Sequence, residues 1–230
     1  MLYKKLSIII PIYNEQNTIK EIIEKVLNVK LPLEKEIIVV DDGSTDRSVE
    51  VVKEFRDNMI QLHCSMINFG KGAAVRVGFK YATGDIIIIQ DADLELEPSE
   101  YPILLEPILS GKSDVVYGTR FYKGAKNKGN ILNYLGNKFL VFVTNILFRA
   151  KITDIETAYK LFKKEIVDNM TLDSLKFDIE PEITAKLLKK KYKIQEVPIS
   201  YNPRTIKEGK KIDWKDGFKA LYILFKIKLS

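Results

Sequence analysis

Two acidic clusters in this chain stand directly behind hydrophobic runs. The first is Ile37-Ile38-Val39-Val40-Asp41-Asp42-Gly43-Ser44-Thr45-Asp46, and the second is Ile86-Ile87-Ile88-Ile89-Gln90-Asp91-Ala92-Asp93. Asp91 and Asp93, two residues apart, can share a divalent cation through hard oxygen ligands. A carboxylate of the first cluster can accept from a base N–H or a ribose hydroxyl. A metal beside a nucleotide pocket points to chemistry on a diphosphate. The apolar runs that must position these acids are short and β-branched, as in buried parallel strands. The carboxylates therefore fall at the carboxyl ends of two strands, the edge where open α/β sheets bind ligands.

Further candidates follow the same logic. Pro11-Ile12-Tyr13-Asn14-Glu15 ends another apolar run, Leu6 to Ile10, and offers a ring for stacking on a base and a carboxylate acceptor. Arg120 closes the run Asp114 to Thr119 and is a candidate phosphate partner, as are Arg204, Lys210 and Lys211. The loop carrying Lys123, Lys126 and Lys128 is a candidate site for an acceptor phosphate. Asn68-Phe69-Gly70-Lys71-Gly72 lacks the spacing and the Ser or Thr of a P-loop. Its glycines suit a tight turn beneath a nucleotide. No GxGxxG follows the first strand, which argues against a classical dinucleotide fold.

The elements read as follows. Strands are expected at 6–10, 36–40, 60–65, 86–90, 114–119 and 194–201. Ile19, Ile22, Ile23, Val26 and Leu27 form one helical face. A second helix carries Val49, Val52 and Phe55 behind Asp46 as N-cap, and a third runs from the 68–72 turn through Tyr81. Helices are also expected over Ile131 to Phe148, Glu180 to Lys190 and Trp214 to Leu229, with Thr153 to Lys160 a polar connection. Alternating strands and helices in the first half predict an α/β fold, a mostly parallel central sheet flanked by helices. The last helix has Phe218, Leu221, Tyr222, Phe225 and Leu229 on one side, among Lys215, Lys219, Lys226 and Lys228. It and the 131–148 helix suit either an ordinary core or a bilayer interface.

A chain of 230 residues with net charge +6 fits one large domain with ordinary globular composition. The positive charge gathers at 123–138 and 186–228, as an anionic ligand or membrane surface would require. One cysteine, Cys64, excludes an internal disulfide and fits a reducing compartment. One histidine and one cysteine assemble no zinc site. The lysines before Leu6 lead into a strand, with no small-residue cleavage site to make a signal peptide. No uninterrupted run reaches the ~18 apolar residues of a membrane span.

In order, Pro11 to Glu15, Asp41 to Asp46, Asn68 to Gly72, Asp91 to Asp93, Gly118 to Arg120, Asp154 to Phe162, Glu196 to Arg204 and Gly209 to Gly217 resemble glycosyltransferase family 2, in its dolichyl-phosphate mannose synthase-like branch. The resemblance spans nearly the whole chain. It implies a single GT-A domain over 1–230, with 1–120 the nucleotide-sugar half and 121–230 an acceptor-side half with amphipathic helices. By that resemblance Pro11, Tyr13, Glu15, Val40 and Asp42 line the nucleoside pocket. Asp91, Ala92 and Asp93 hold Mg²⁺ or Mn²⁺ and the sugar diphosphate. Glu95 stands near the sugar, where relatives commonly carry Gln. Arg120 faces the sugar or acceptor phosphate, and Arg204 with Lys211 (or Lys210) closes over the diphosphate. Relatives often have Gly-Phe-Arg where this chain has Ala158-Tyr159-Lys160, and Lys does not make Arg's bidentate contact.

The activity so implied is inverting, metal-dependent transfer of one sugar from a GDP-mannose or UDP-glucose type donor to a polyprenyl or dolichyl phosphate. Asp93, Arg120 and Glu95 are the implied catalytic residues. The absence of Gln-x-x-Arg-Trp favours one transfer over polymerisation. A saccharide or protein hydroxyl is the alternative acceptor, with Asp154 or Glu156 as its base, and an inactive nucleotide-sugar-binding scaffold is a third reading. The implied setting is cytoplasmic, peripheral on the cytoplasmic face of the membrane, with a membrane-anchoring partner and no nucleic acid.

Overall fold

The computed structural model describes residues 3–122, 131–204 and 214–230. Seven strands form one sheet in the order β3-β2-β1-β4-β6-β5-β7. They are β1 (Lys5–Ile12), β2 (Glu34–Asp41), β3 (Ile60–Cys64), β4 (Ile86–Ile89), β5 (Val115–Thr119), β6 (Lys160–Lys163) and β7 (Ile194–Pro198). All neighbours pair in parallel except β6, which runs antiparallel to both β4 and β5. The parallel strands bring their carboxyl ends to one edge. The reversed β6 brings its amino end, Lys160, to that same edge.

The β1 and β4 side chains alternate between two cores because successive side chains leave a strand on opposite faces. Leu6, Ile8, Ile10, Ile86 and Ile88 join one cluster with α1 (Ile19–Asn28) and α4 (Tyr101–Leu109). Ile9, Ile87 and Ile89 join the other, with α3 (Lys71–Tyr81) and α7 (Ile179–Lys189). Two short helices, α2 (Ser48–Lys53) and α6 (Lys164–Asp168), complete these layers. A third, smaller cluster lies where α5 (Ile131–Phe148) and α8 (Trp214–Leu229) pack with α7. No helix among the described residues is long and apolar enough to cross a membrane.

Several elements differ from the sequence reading. Strand β7 stops at Pro198 rather than Tyr201. Helix α2 starts at Ser48, and Asp46 accepts its amide at 2.9 Å, capping from one position further out than expected. The stretch read as a polar connection from Thr153 to Lys160 is largely core: Asp154, Thr157 and Lys160 are fully buried, and the chain runs on into β6. Burying such polar groups requires that each be partnered. Those partners belong to the candidate site.

Candidate active site

The first two motifs build one wall of the cleft. Asn14, in the left-handed region at φ 54, turns the chain after β1, and its side-chain oxygen accepts the Thr45 amide at 2.8 Å. That bond ties the Tyr13–Glu15 turn to the loop after β2. Asp42 is buried and accepts the amides of Phe69 at 2.9 Å and Gly70 at 2.6 Å. Its carboxylate thus shapes the 68–72 loop, where the sequence suggested a nucleoside contact alone. Val40 is buried against α3, so its side chain lies in the core beneath this wall. The glycines of the loop answer to close approach: a Cβ on Gly72 would lie 2.6 Å from the Ser174 carbonyl oxygen, and Gly70 has φ 111. The 174–176 segment backs onto them, a constraint the sequence did not reveal.

Asp91 and Asp93 follow β4 as expected. Leu94, at φ 60, bends the chain so that Glu95 turns back, and the Glu95 amide donates to Asp93 Oδ1 at 3.1 Å. Burial, then the neighbouring Asp91 and Glu95 charges, push the half-buried Asp93 carboxyl up to about 7. Arg204 closes this group from above. Its Nε donates to the Asp93 carbonyl at 2.6 Å, its Nη2 to Glu15 at 2.8 Å, and its backbone amide to Glu95 at 2.7 Å. Tyr13 and Pro11 are partly exposed on the β1 side of the cleft. The structure thus brings Glu15, Asp93, Glu95 and Arg204 together. Lys210, Lys211 and the lysines of 123–129 fall outside the described residues.

Arg120 follows β5. Its Nε and Nη2 donate to the two Asp154 oxygens at 2.7 and 2.8 Å, a bidentate pair, and Asn137 of α5 donates to Asp154 at 2.9 Å. The Tyr201 ring lies 5.0 Å from the guanidinium carbon. Burial opposes the charge on both partners, but the pairing outweighs it, holding Asp154 below the usual carboxylate range and Arg120 above its own. The amides of Thr153 and Asp154 donate to Glu196 of β7 at 2.7 and 3.0 Å, fixing this loop. Asp154 is therefore the orienting partner of Arg120, a task the sequence reading did not give it. A carboxylate so engaged is a poor proton acceptor. Glu156 is the carboxylate left: it accepts no hydrogen bond from a described residue, and burial, with Glu180 adding, pushes it up to about 7.

Lys71, Glu180 and Lys160 were missed as site residues. Lys71 donates to Asp91 at 2.8 Å and lies 2.9 Å from Glu180. Lys160 is fully buried and donates to Glu180 and to the carbonyls of Ile155 (3.1 Å) and Thr157. Lys160, which stands where relatives often carry Arg, is thus held inside the fold by Glu180 and two carbonyls. The signal available in the sequence was a glutamate, Glu180, one turn before Ile183 and Leu187 on the buried side of α7.

The donor set fits a hard divalent cation. Asp91 and Asp93 supply two carboxylates from one short turn, and burial beside Asp91 and Glu95 raises the Asp93 carboxyl, an effect that a bound cation would offset. Among the described residues no three His, Cys, Asp or Glu side chains form a complete metal cage. Such a pair matches cations like Mg²⁺, which take one or two carboxylates and fill their remaining positions with water and substrate phosphate oxygens.

A sheet of this order, with acids and arginines gathered at its carboxyl edge, defines an α/β transferase-type scaffold, and solved structures confirm the fold. Glucosyl-3-phosphoglycerate synthase from Mycobacterium tuberculosis, in complex with Mn²⁺, UDP-glucose and phosphoglyceric acid, superposes at TM-score 0.76 over 98% of this chain and 80% of that one, at 18% identity. Its complex with Mg²⁺ and UDP gives 0.75 over 97% and 79%. The fold is GT-A. The family model for glycosyl transferase family 2 matches residues 7–171, and the chain belongs to that family.

Among its relatives, a dolichol-phosphate mannosyltransferase of Pyrococcus furiosus is 35% identical over 229 residues, 97% of this chain and 63% of that protein. An undecaprenyl-phosphate 4-deoxy-4-formamido-L-arabinose transferase of Pectobacterium carotovorum is 31% identical over 172 residues, 73% and 51% respectively. The chain thus spans under two thirds of the length of the first relative and about half of the second.

Proposed function

We propose that this protein transfers a single sugar, with inversion, from a nucleoside-diphosphate sugar to a polyprenyl or dolichyl phosphate. The observation that carries the acceptor class is the build of α5. Its inner side sends Asn137 to the Asp154 that holds Arg120. Its outer side exposes Leu135, Phe139, Phe142 and Ile146 at helical spacing. Helix α8 packs beside it and exposes Phe218, Tyr222, Phe225 and Leu229 at the same spacing. Arg149, Lys151, Lys219, Lys226 and Lys228 are exposed around this stripe. A paired apolar surface rimmed by cations suits an anionic bilayer interface. Two hydrogen-bonded links, Asn137 to Asp154 and Asp154 to Arg120, thus connect the surface where a lipid would arrive to the arginine that would meet its phosphate. The names of the two relatives, both acting on polyprenyl-type phosphates, support the same reading.

In this reading the donor lies against Tyr13 and the 68–72 wall, with its diphosphate at Asp91, Asp93 and Arg204. A Mg²⁺ or Mn²⁺ ion held by Asp91 and Asp93 would neutralise the diphosphate as it departs. Arg204, anchored by Glu15, adds fixed positive charge to the leaving group. Arg120, held on one edge by Asp154, turns its remaining donors to the acceptor phosphate. A phosphate oxygen forms the new bond to the anomeric carbon as the old bond to the diphosphate breaks, and the nucleoside diphosphate leaves with the electron pair. A lipid phosphate, with its second pKa near ~6, is already a dianion at neutral pH and needs no general base. The assignment of Asp154 to Arg120 and of Glu180 to two lysines agrees with that. The mannosyltransferase relative favours a GDP-mannose type donor; the UDP-glucose type remains the alternative.

The test is direct. The protein is incubated with a polyprenyl phosphate and, separately, GDP-, UDP- and dTDP-sugars, with Mn²⁺ or with chelator. A glycosyl-phosphate lipid formed from one donor, and lost with chelator, is expected. Transfer to saccharide or peptide hydroxyls with none to the lipid phosphate would overturn the acceptor, and donor binding without transfer to any acceptor would favour a scaffold.

A further inference from the structure

Lys71 has no role in the transfer outlined above, yet it occupies the centre of the acid cluster. It is the first residue of α3, fixed in place because Asp42 holds the Gly70 amide just before it. Its ammonium lies 2.7 Å from Asp91 Oδ1, 2.8 Å from Oδ2 and 2.9 Å from Glu180 Oε1. The other Glu180 oxygen accepts from Lys160. Asp91, Lys71, Glu180 and Lys160 thus form a line of alternating charge running from the cleft into the core. Lys71 and Asp91 keep little solvent exposure, 13% and 25% of their side chains, so the pair is weakly screened.

We propose that Lys71 is a resident counter-cation of Asp91, competing with the divalent cation for that carboxylate, and that Glu180 sets how strongly it competes. The inference rests on the reading that Asp91 and Asp93 hold a divalent ion. When such an ion takes Asp91, Lys71 stays paired with Glu180, so the exchange leaves no buried ammonium without a partner, which would be costly. Free of nucleotide, the site is then only a modest cation binder, because every ion must displace or share with Lys71. With nucleotide bound, diphosphate oxygens add ligands and shift the competition towards the ion. Lys71 is a positioning residue, acting through Asp91.

The test measures Mn²⁺ affinity without nucleotide, by electron paramagnetic resonance of free Mn²⁺, on the wild-type chain, Lys71→Met and Glu180→Gln. Lys71→Met is expected to bind Mn²⁺ about tenfold more tightly, since the competing charge is gone. Glu180→Gln is expected to bind severalfold more weakly, since Lys71 then leans on Asp91 alone. Opposite signs in the two variants are the signature of competition. A purely structural lysine predicts weaker or unchanged binding in both, and that result would overturn the proposal. Where Lys71→Met does not fold, Lys71→Gln removes the charge while keeping a side-chain N–H donor, with the same expectation. A chain that binds no Mn²⁺ even with a nucleoside diphosphate would overturn the metal reading itself. Measurable wild-type binding left unchanged by Lys71→Met or Lys71→Gln would overturn only the counter-cation.

Discussion

The proposed donor side and the proposed acceptor side of this cleft are built on opposite plans. On the donor side, the central runs of β1, β2 and β4 are apolar and buried, with Glu36 the charged exception, and the chemistry sits in the short turns that follow them. On the acceptor side, charge goes inside and apolar surface outside. Asp154, Lys160, Glu180 and Glu182 are buried, while Phe139, Phe142, Ile146, Phe218 and Tyr222 face out. A parallel sheet edge fixes a small rigid ligand by geometry alone. On the proposed reading, the half that meets the lipid has an apolar exterior, and its internal charges aim one arginine.

The sharpest way to break that contrast is at the internal charges. Asp154→Asn removes the bidentate partner of a buried arginine, so it is expected to cost about 3 kcal/mol of stability. It should also lower the transfer rate by about hundredfold or more, through loss of Arg120's aim. Thermal unfolding and initial rates check both. A stable variant with near-normal rate would mean that Arg120 needs no orienting. At the surface, Phe139→Asp with Phe142→Asp should abolish flotation with anionic vesicles while leaving the unfolding midpoint within a few degrees. Vesicle binding that survives would place the membrane contact elsewhere.

The smallest effect concerns the donor-side scaffold. Burial would raise the Glu36 carboxyl, but bonds from Ser7, Thr83 and Lys5 outweigh it and bring it down to about 2. A depressed folded pKa adds stability above the unfolded value, and that stability fades as pH falls through the folded one. The full shift corresponds to about 3 kcal/mol at neutral pH, of which Glu36→Gln, still bonded to Ser7 and Thr83, should lose about 2 kcal/mol. That loss should shrink below the ordinary carboxylate value of 4.5 and be nearly gone by pH 2. Denaturant titrations at several pH values measure it. A difference that grows on acidification would contradict the assignment.

The donor side was legible because its signals are local. Four isoleucines followed by Asp-x-Asp give strand, edge and carboxylates within eight residues. Helices α5 and α8 were legible in extent, since their apolar residues repeat at helical spacing, but spacing does not say which side faces solvent. Helix α4 escaped notice because Pro102 and Pro107 disguise it, although a proline in the first turn is compatible with a helix. The 153–160 segment is polar yet buried, so its polarity does not report its place in the fold. Its burial depends on partners far away in the chain: Arg120, Asn137, Glu196 and Glu180. The task of Lys71 was hidden for the same reason, since Asp91 and Glu180 meet it only in the folded chain.

A phosphate acceptor needs no general base, and Glu156 is the carboxylate that could show otherwise. The deciding measurement compares the wild-type chain with Glu156→Gln, using a polyprenyl phosphate and whichever sugar nucleotide the protein accepts, at saturating Mn²⁺ and neutral pH. A rate within about threefold of wild type is predicted, because no proton has to be removed. A fall of about hundredfold or more in a variant that folds normally would make Glu156 the base for a hydroxyl acceptor, and would contradict the account.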